Sequence, residues 1–390
     1  MLGRLNAAWR VARCGLAPAR PSSLVFINTM KCNARCKMCL QWREVRGPDS
    51  QGRTELTLEQ IDRFTRSMGR LFMVQLSGGE PFLRPDMGET MLLIGRNCAP
   101  LLFTVPTNGS HPDRILSAVR AFCAAYPKTM LRLNLSVDAP AETHDAIRGI
   151  DGLYEKCRET ITRLKEIQTR APGLTVNICA VLSHYNRAGI RPGIKRILDE
   201  LCPDHLTLML ARGDTPEAIA LEVPIEEYEA AVADLRAHLE ARSKEKHPLR
   251  NLGRVLEKEI SRVVAESAKQ QRQVIPCVGG SKHIYVDDQG RILPCEVLVS
   301  ILRDHPSNEL DSAVMADLSD FDYSVPAALD SMHARRVAQF IRDGKCHCTS
   351  ECLAAPSILL NPRLYPRLAL TAFRQAVSDL VVSRRRPPAP

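Results

Sequence analysis

Apolar, β-favouring runs recur along the chain at intervals long enough to house a helix between them: Ser23 to Met30, Leu71 to Leu76, Leu101 to Val105, Met130 to Val137, Leu174 to Leu182 and Leu206 to Leu210. The segments between them carry apolar residues at helical spacing, as in Leu58 to Met68, Arg114 to Ala125, Tyr154 to Ile167 and Ala188 to Leu201, with Thr57 placed to cap the first. Repeated strand-helix units imply a parallel sheet. The pattern changes across Asp214 to Pro224. Beyond it, Glu226 to Ala241 and Arg254 to Ala268 read as charged helices, and Ile284-Tyr285-Val286, Asp287 to Gly290 and Arg291-Ile292-Leu293 read as a hairpin with its turn.

Polar and reactive residues collect at the ends of the predicted strands. Cys32, Cys36 and Cys39 follow the first strand as C-x3-C-x2-C, and Ser77-Gly78-Gly79-Glu80-Pro81 follows the second. Thr107-Asn108-Gly109, Ser136 to Asp138 and Leu210 to Gly213 stand at or just past later ones. In barrels of parallel strands, ligand sites gather at the carboxyl ends. The first loop offers three thiolates and no fourth, since the next cysteine is Cys98. Structural zinc draws four ligands from paired knuckles. A cuboidal iron-sulfur cluster on three cysteines instead keeps one iron open to a substrate or cofactor.

A second cysteine group follows the helices: Cys277, then Gly290-x4-Cys295, then Cys346-x-Cys348-x3-Cys352. Five thiols can complete one four-cysteine cluster and not two. A zinc ribbon built from the same residues is the competing reading. Cys14, Cys98, Cys123, Cys157, Cys179 and Cys202 stand singly and read as packing residues.

Composition narrows the setting. A chain of 390 residues with 45% hydrophobic and 25% charged residues is an ordinary globular composition. Its length and metal-type clusters point its 14 cysteines to a reducing, cytoplasmic compartment rather than to disulfides. The net charge of +9 sits at the ends: Arg4, Arg10, Arg13 and Arg20 without an acid give +4, and six arginines against Asp379 after residue 360 give +5. A balanced middle argues against a nucleic-acid groove. No apolar run reaches the roughly 18 residues of a membrane span. Both ends are nevertheless amphipathic: Leu2, Leu5, Trp9, Val11 and Leu16 punctuate the first, and Leu364, Leu368, Ala372, Ala376 and Leu380 precede Arg384-Arg385-Arg386 in the last. The first pattern is shared by transit peptides and membrane-surface helices; for the last, a packed helix with a solvated tail is the plain reading, and peripheral contact with anionic lipid is the alternative.

The cysteine loop and the Gly-Gly-Glu-Pro segment, in this order and each after a strand, resemble the signature of the radical S-adenosylmethionine (radical SAM) superfamily. The later cysteines resemble its SPASM or twitch extension, although an additional C-x2-C-x5 portion and a final downstream cysteine are missing. The resemblance implies an α/β fold: a partial (β/α)6 barrel over residues 21–218, a helical connector over 219–272 and a small cysteine-rich SPASM/twitch-like domain over 273–360. Basic amphipathic segments at 1–20 and 361–390 flank them.

By the same resemblance, Cys32, Cys36 and Cys39 hold a [4Fe-4S] cluster with an open iron. S-adenosylmethionine binds there and is cleaved to a 5′-deoxyadenosyl radical that abstracts hydrogen from a peptide or small-molecule substrate. An external one-electron donor is implied. Gly78, Gly79 and Glu80 meet the methionyl ammonium, Ser136 the ribose, Arg148 the cofactor carboxylate, as a guanidinium does bidentately, and Leu210 the adenine. Cys277, Cys295 and Cys352, with Cys348 or Cys346, hold one auxiliary cluster. Glu296 stands where sulfatase-maturing relatives place a catalytic acid, and is a candidate proton acceptor; a surface glutamate is the bland reading. Met38 replaces the usual aromatic residue before the third cysteine. A lipid or polyprenyl-linked substrate is an alternative, and an iron-sulfur electron carrier or a zinc-organised interaction protein are readings from other classes. Neither of those two accounts for Gly78 to Pro81.

Overall fold

The computed structural model describes residue 14, residues 20–242 and residues 248–371. Most of both basic ends, including Arg4, Arg10, Arg13 and Arg384 to Arg386, lies outside the described residues. Six strands, β1 (Ser23–Thr29), β2 (Met73–Gly78), β3 (Leu102–Thr107), β4 (Met130–Ser136), β5 (Leu174–Leu182) and β6 (His205–Leu210), alternate with helices and pair in sequence order, all parallel. The alternation of side chains explains both faces of this sheet. On β4, Leu131, Leu133 and Leu135 are fully buried beneath the surrounding helices, whereas Asn134 and Ser136 point into the concave side. The result is an apolar exterior to the barrel wall and a polar lumen.

The first large helix, α2 (Leu58–Met68), which follows the short α1 (Trp42–Arg46), shows how local sequence fixes the wall. Thr57 Oγ1 accepts from the Gln60 amide at 3.3 Å, and Gln60 Oε1 accepts from the Thr57 amide at 2.8 Å, a reciprocal cap of the helix start. Ile61 and Phe64 then face the sheet, with Phe64 edge-on to Phe26 at 5.2 Å between ring centres. The second strand begins two residues later than the apolar run suggests. Leu71 and Phe72 bond to Cys98 and Ser22 instead, and the ladder continues into the motif, pairing Ile27 with Ser77 and Thr29 with Gly78.

After β6, two long helices, α8 (Ile225–Arg242) and α9 (Pro248–Gln270), lead to the hairpin β7 (His283–Val286) and β8 (Arg291–Leu293). The sequence leaves this hairpin in a region of its own. In the structure β7 pairs parallel with β1, Ser23 to His283 through Phe26 to Val286, and β8 and a short β9 (Ala316–Asp317) extend one nine-stranded sheet beyond the barrel. Gly290, at φ +91°, closes the turn in a conformation that suits glycine. The helices α12 (Met332–Arg342) and α13 (Glu351–Leu359) complete this end. No described helix is long and apolar enough to cross a membrane.

Candidate active site

The carboxyl ends of the strands surround a cavity of about 260 Å³. Cys32, Cys36 and Cys39 line it, together with Gly78, Gly79, Glu80, Ser136, Arg148, Leu210, Cys352 and Glu296. Residues separated by more than 300 positions in sequence thus share one space.

The glycines are required by backbone, not by a side chain. A Cβ on Gly78 would lie 2.1 Å from the Thr29 carbonyl oxygen, and one on Gly79 would lie 2.4 Å from that of Lys31. The amides of Gly79 and Glu80 donate to those same two carbonyls at 2.9 and 2.8 Å. The Gly-Gly step therefore clamps the strand end from which the cysteine loop departs. On its other side the loop is held by α5 (Ala141–Arg148), whose Arg148 and Ile147 carbonyls accept from the Arg35 and Lys37 amides at 2.8 and 3.0 Å.

Glu80 is buried and its carboxylate is well supplied with donors: Thr107 Oγ1 at 2.7 Å, the Asn108 amide at 2.7 Å and the Phe82 amide at 3.2 Å. Burial nevertheless pushes its pKa up to about 7, against those bonds. Ser136 ends β4 on the cavity side, and Leu210 ends β6 with its amide donating to Glu351 Oε1 at 2.9 Å. Met38 lines the same wall and packs with Ile147.

Arg148 lines the same cavity. Its fork is already engaged: Nε and Nη2 donate to the fully buried Asp138 at 2.6 and 3.0 Å, leaving Nη1, which points to Cys36 Sγ at 3.7 Å. Asp138 and Cys36 hold the guanidinium charged despite its burial.

Glu296 stands between this cavity and an outer chamber of about 290 Å³, and it accepts from Arg212 Nη2 at 2.9 Å. Arg212 Nη1 donates to Glu351 at 2.9 Å, while its Nε is buried without a partner. Two further residues escape sequence reasoning. Arg212 carries no motif, and Cys179, read as packing, faces the cavity from β5. The period of β5 holds a signal for the latter, because Asn177, Cys179 and Val181 alternate with the buried Val176, Ile178 and Ala180.

The donor set of the first loop fits an iron-sulfur cluster. It is all sulfur, and it is oriented by backbone, with the Ala34 amide 3.4 Å from Cys32 Sγ. Burial pushes the Cys32 thiol up to about 12 and Cys39 up to about 11, so their ionisation calls for a cation among them. Cys277, Cys295, Cys346 and Cys348 line a separate, mostly apolar cavity at the foot of α13. Cys352 lines the main cavity, with Cys179.

A profile of the Radical SAM superfamily matches residues 27–191, the span of both motifs and of β1 to β5. Residues 27–191 thus match a radical SAM domain. The chain is 26% identical over 309 residues to an AdoMet-dependent heme synthase of Methanosarcina barkeri, covering 74% of this chain and 82% of the relative. It is 33% identical over 128 residues to a GTP 3′,8-cyclase of Yersinia pestis, covering 32% and 36% of the two chains. In fold it is similar to anSMEcpe with bound AdoMet, with a TM-score of 0.55, 15% identity and coverage of 94% of this chain and 100% of that one. Streptococcus suis SuiB bound to S-adenosylmethionine gives a TM-score of 0.52, 14% identity and coverage of 80% and 67%. The match to this superfamily implies S-adenosylmethionine and a [4Fe-4S] cluster as cofactors.

Proposed function

We propose that this radical SAM enzyme abstracts hydrogen from a peptide or small natural product held at the open rim of its barrel, and that it carries one auxiliary iron-sulfur cluster. A [4Fe-4S] cluster on Cys32, Cys36 and Cys39 supplies, when bound, one electron to the sulfonium of S-adenosylmethionine and so a 5′-deoxyadenosyl radical for that abstraction. The observation that carries the reading is the convergence of the three thiols with Glu80, Ser136 and Leu210 on one cavity.

The chain's own residues would bind and orient. Glu80 is the one carboxylate at the Gly-Gly turn and suits the methionyl ammonium. Ser136 offers a hydroxyl to a ribose, and Leu210 an apolar surface to adenine. Arg148, fixed by Asp138, steadies the Cys36 sulfur rather than the cofactor carboxylate. Glu296, placed where the two chambers meet, is the candidate to take a proton from the substrate. The outer chamber presents both charges, with Arg43 and Arg303 bridged by Asp49 and Asp214, a lining suited to a polar substrate. An external one-electron donor is part of the proposal.

The match across 74% of the chain to a heme synthase favours a second reading, in which the natural product is a tetrapyrrole. Incubating the anaerobically reconstituted protein with dithionite, S-adenosylmethionine and either peptide or tetrapyrrole carboxylates tests both. We expect 5′-deoxyadenosine to form, to rise with the true substrate and to disappear in Cys36→Ala. Formation that persists in that variant overturns the reading. Attachment to lipid through the basic ends is tested separately, by co-sedimentation of full-length and end-deleted protein with anionic liposomes.

A further inference from the structure

We propose that Cys277, Cys295, Cys346 and Cys348 are the complete ligand set of the auxiliary iron-sulfur cluster, and that Cys352 is a free thiol of the S-adenosylmethionine cavity. The proposal rests on the auxiliary cluster put forward above. It departs from motif spacing, which counts Cys352 as a ligand and leaves Cys346 and Cys348 as alternatives.

The two groups of thiols differ in what surrounds them. Cys277, Cys295, Cys346 and Cys348 wall one cavity with Ile275, Leu298 and Leu353, a lining without competing acids. Backbone amides face their sulfurs, as thiolate ligands require, with Gly279 N–H 3.3 Å from Cys277, and amides of Val297 and Leu298 on Cys295 and of Ser350 on Cys348.

Cys352 keeps other company. It opens α13, and the preceding Glu351 pins that helix start to the barrel through the Leu210 amide and Arg212, both at 2.9 Å. This anchor turns Cys352 into the main cavity, which it lines with Cys179, Arg212 and Glu296. The helix start thus divides the sequence Cys346-x-Cys348-x3-Cys352 between two chambers. A cluster bound by four protein thiolates has no iron free for substrate. Its role is then to pass electrons, not to coordinate the molecule being modified.

The test is iron and sulfide content, with electron paramagnetic resonance, of the reconstituted full chain and its variants. Cys352→Ala is expected to keep about eight irons and both reduced-cluster signals, whereas Cys277→Ala and Cys346→Ala fall to about four. Anaerobic iodoacetamide labelling of the loaded wild type, read by mass spectrometry, covers the case in which a variant fails to fold. Cys352 is expected to be alkylated, less so with S-adenosylmethionine present, and the four ligands to be protected. Loss of half the iron in Cys352→Ala, or protection of Cys352 together with labelling of Cys346 or Cys348, overturns the ligand assignment. Wild type that takes up only about four irons, unchanged in Cys346→Ala, removes the auxiliary cluster itself and leaves the Cys32, Cys36 and Cys39 site standing.

Discussion

Replacing Glu80 by Gln keeps the shape of the side chain and removes its charge. Burial raises the Glu80 pKa from the ordinary 4.5 to about 7, a change equivalent to about 3 kcal/mol. Between pH 4.5 and 7 the folded protein holds a proton that the unfolded chain has released, so this group's contribution to stability falls as pH rises through the window and is constant above it. Gln is neutral throughout. Its oxygen can still accept from the Asn108 amide, and Thr107 can rotate to accept from its NH2, but the Phe82 amide loses its partner. That loss costs about 1–3 kcal/mol at every pH. The variant should therefore be the less stable protein at pH 5 and should gain on wild type by about 3 kcal/mol by pH 8. Denaturant unfolding of both cluster-free proteins, under reducing conditions at a series of pH values, measures the difference. A gap that does not change between pH 5 and 8 refutes the buried, proton-coupled carboxylate. In the loaded protein the same substitution should weaken S-adenosylmethionine binding by about 10- to 100-fold, the range of a charge-assisted hydrogen bond.

Substitutions at three other positions probe the surroundings. Gly79→Ala places a methyl against the Lys31 and Met30 carbonyls at 2.4 and 2.7 Å, and should displace the cysteine loop, seen as iron content that falls without loss of the folded state. Asp138→Ala strands Arg148 beside Cys36, and should cost about 3–5 kcal/mol by denaturant unfolding. Asp138→Asn, which keeps one acceptor, should cost less. Glu296→Gln leaves all thiols in place, so it should retain iron and 5′-deoxyadenosine formation while product formation drops by about 100-fold, the scale of a lost general base; equal product in both proteins refutes its role.

Much of the barrel could be read before folding, because its determinants are local. The apolar runs of β4 and β5 and the Thr57 cap lie within a few residues of the elements they define. The reactive loops were legible for the same reason, each standing at the end of its own strand. What escaped depends on meetings between distant segments. Nothing near Arg148 announces that Asp138 will occupy its fork, although the two lie ten residues apart. The pairing of Ser23 with His283, with their side chains 2.9 Å apart, spans 260 positions. Cys352 keeps its motif spacing yet lines a different cavity from Cys346 and Cys348, beside a Glu351 bonded to the Leu210 amide and Arg212, residues with no signature of their own.

The parallel bond between β7 and β1 has a consequence for anyone wishing to cut or graft this protein. β1 carries the cysteine loop at its tip and is flanked on both sides, by β2 and by a strand from the far end of the chain. A truncation before residue 283 would bare a row of backbone amides and carbonyls along that strand, inviting another chain to dock there. The terminal third is thus not a detachable accessory but the second rail on which the catalytic loop is mounted.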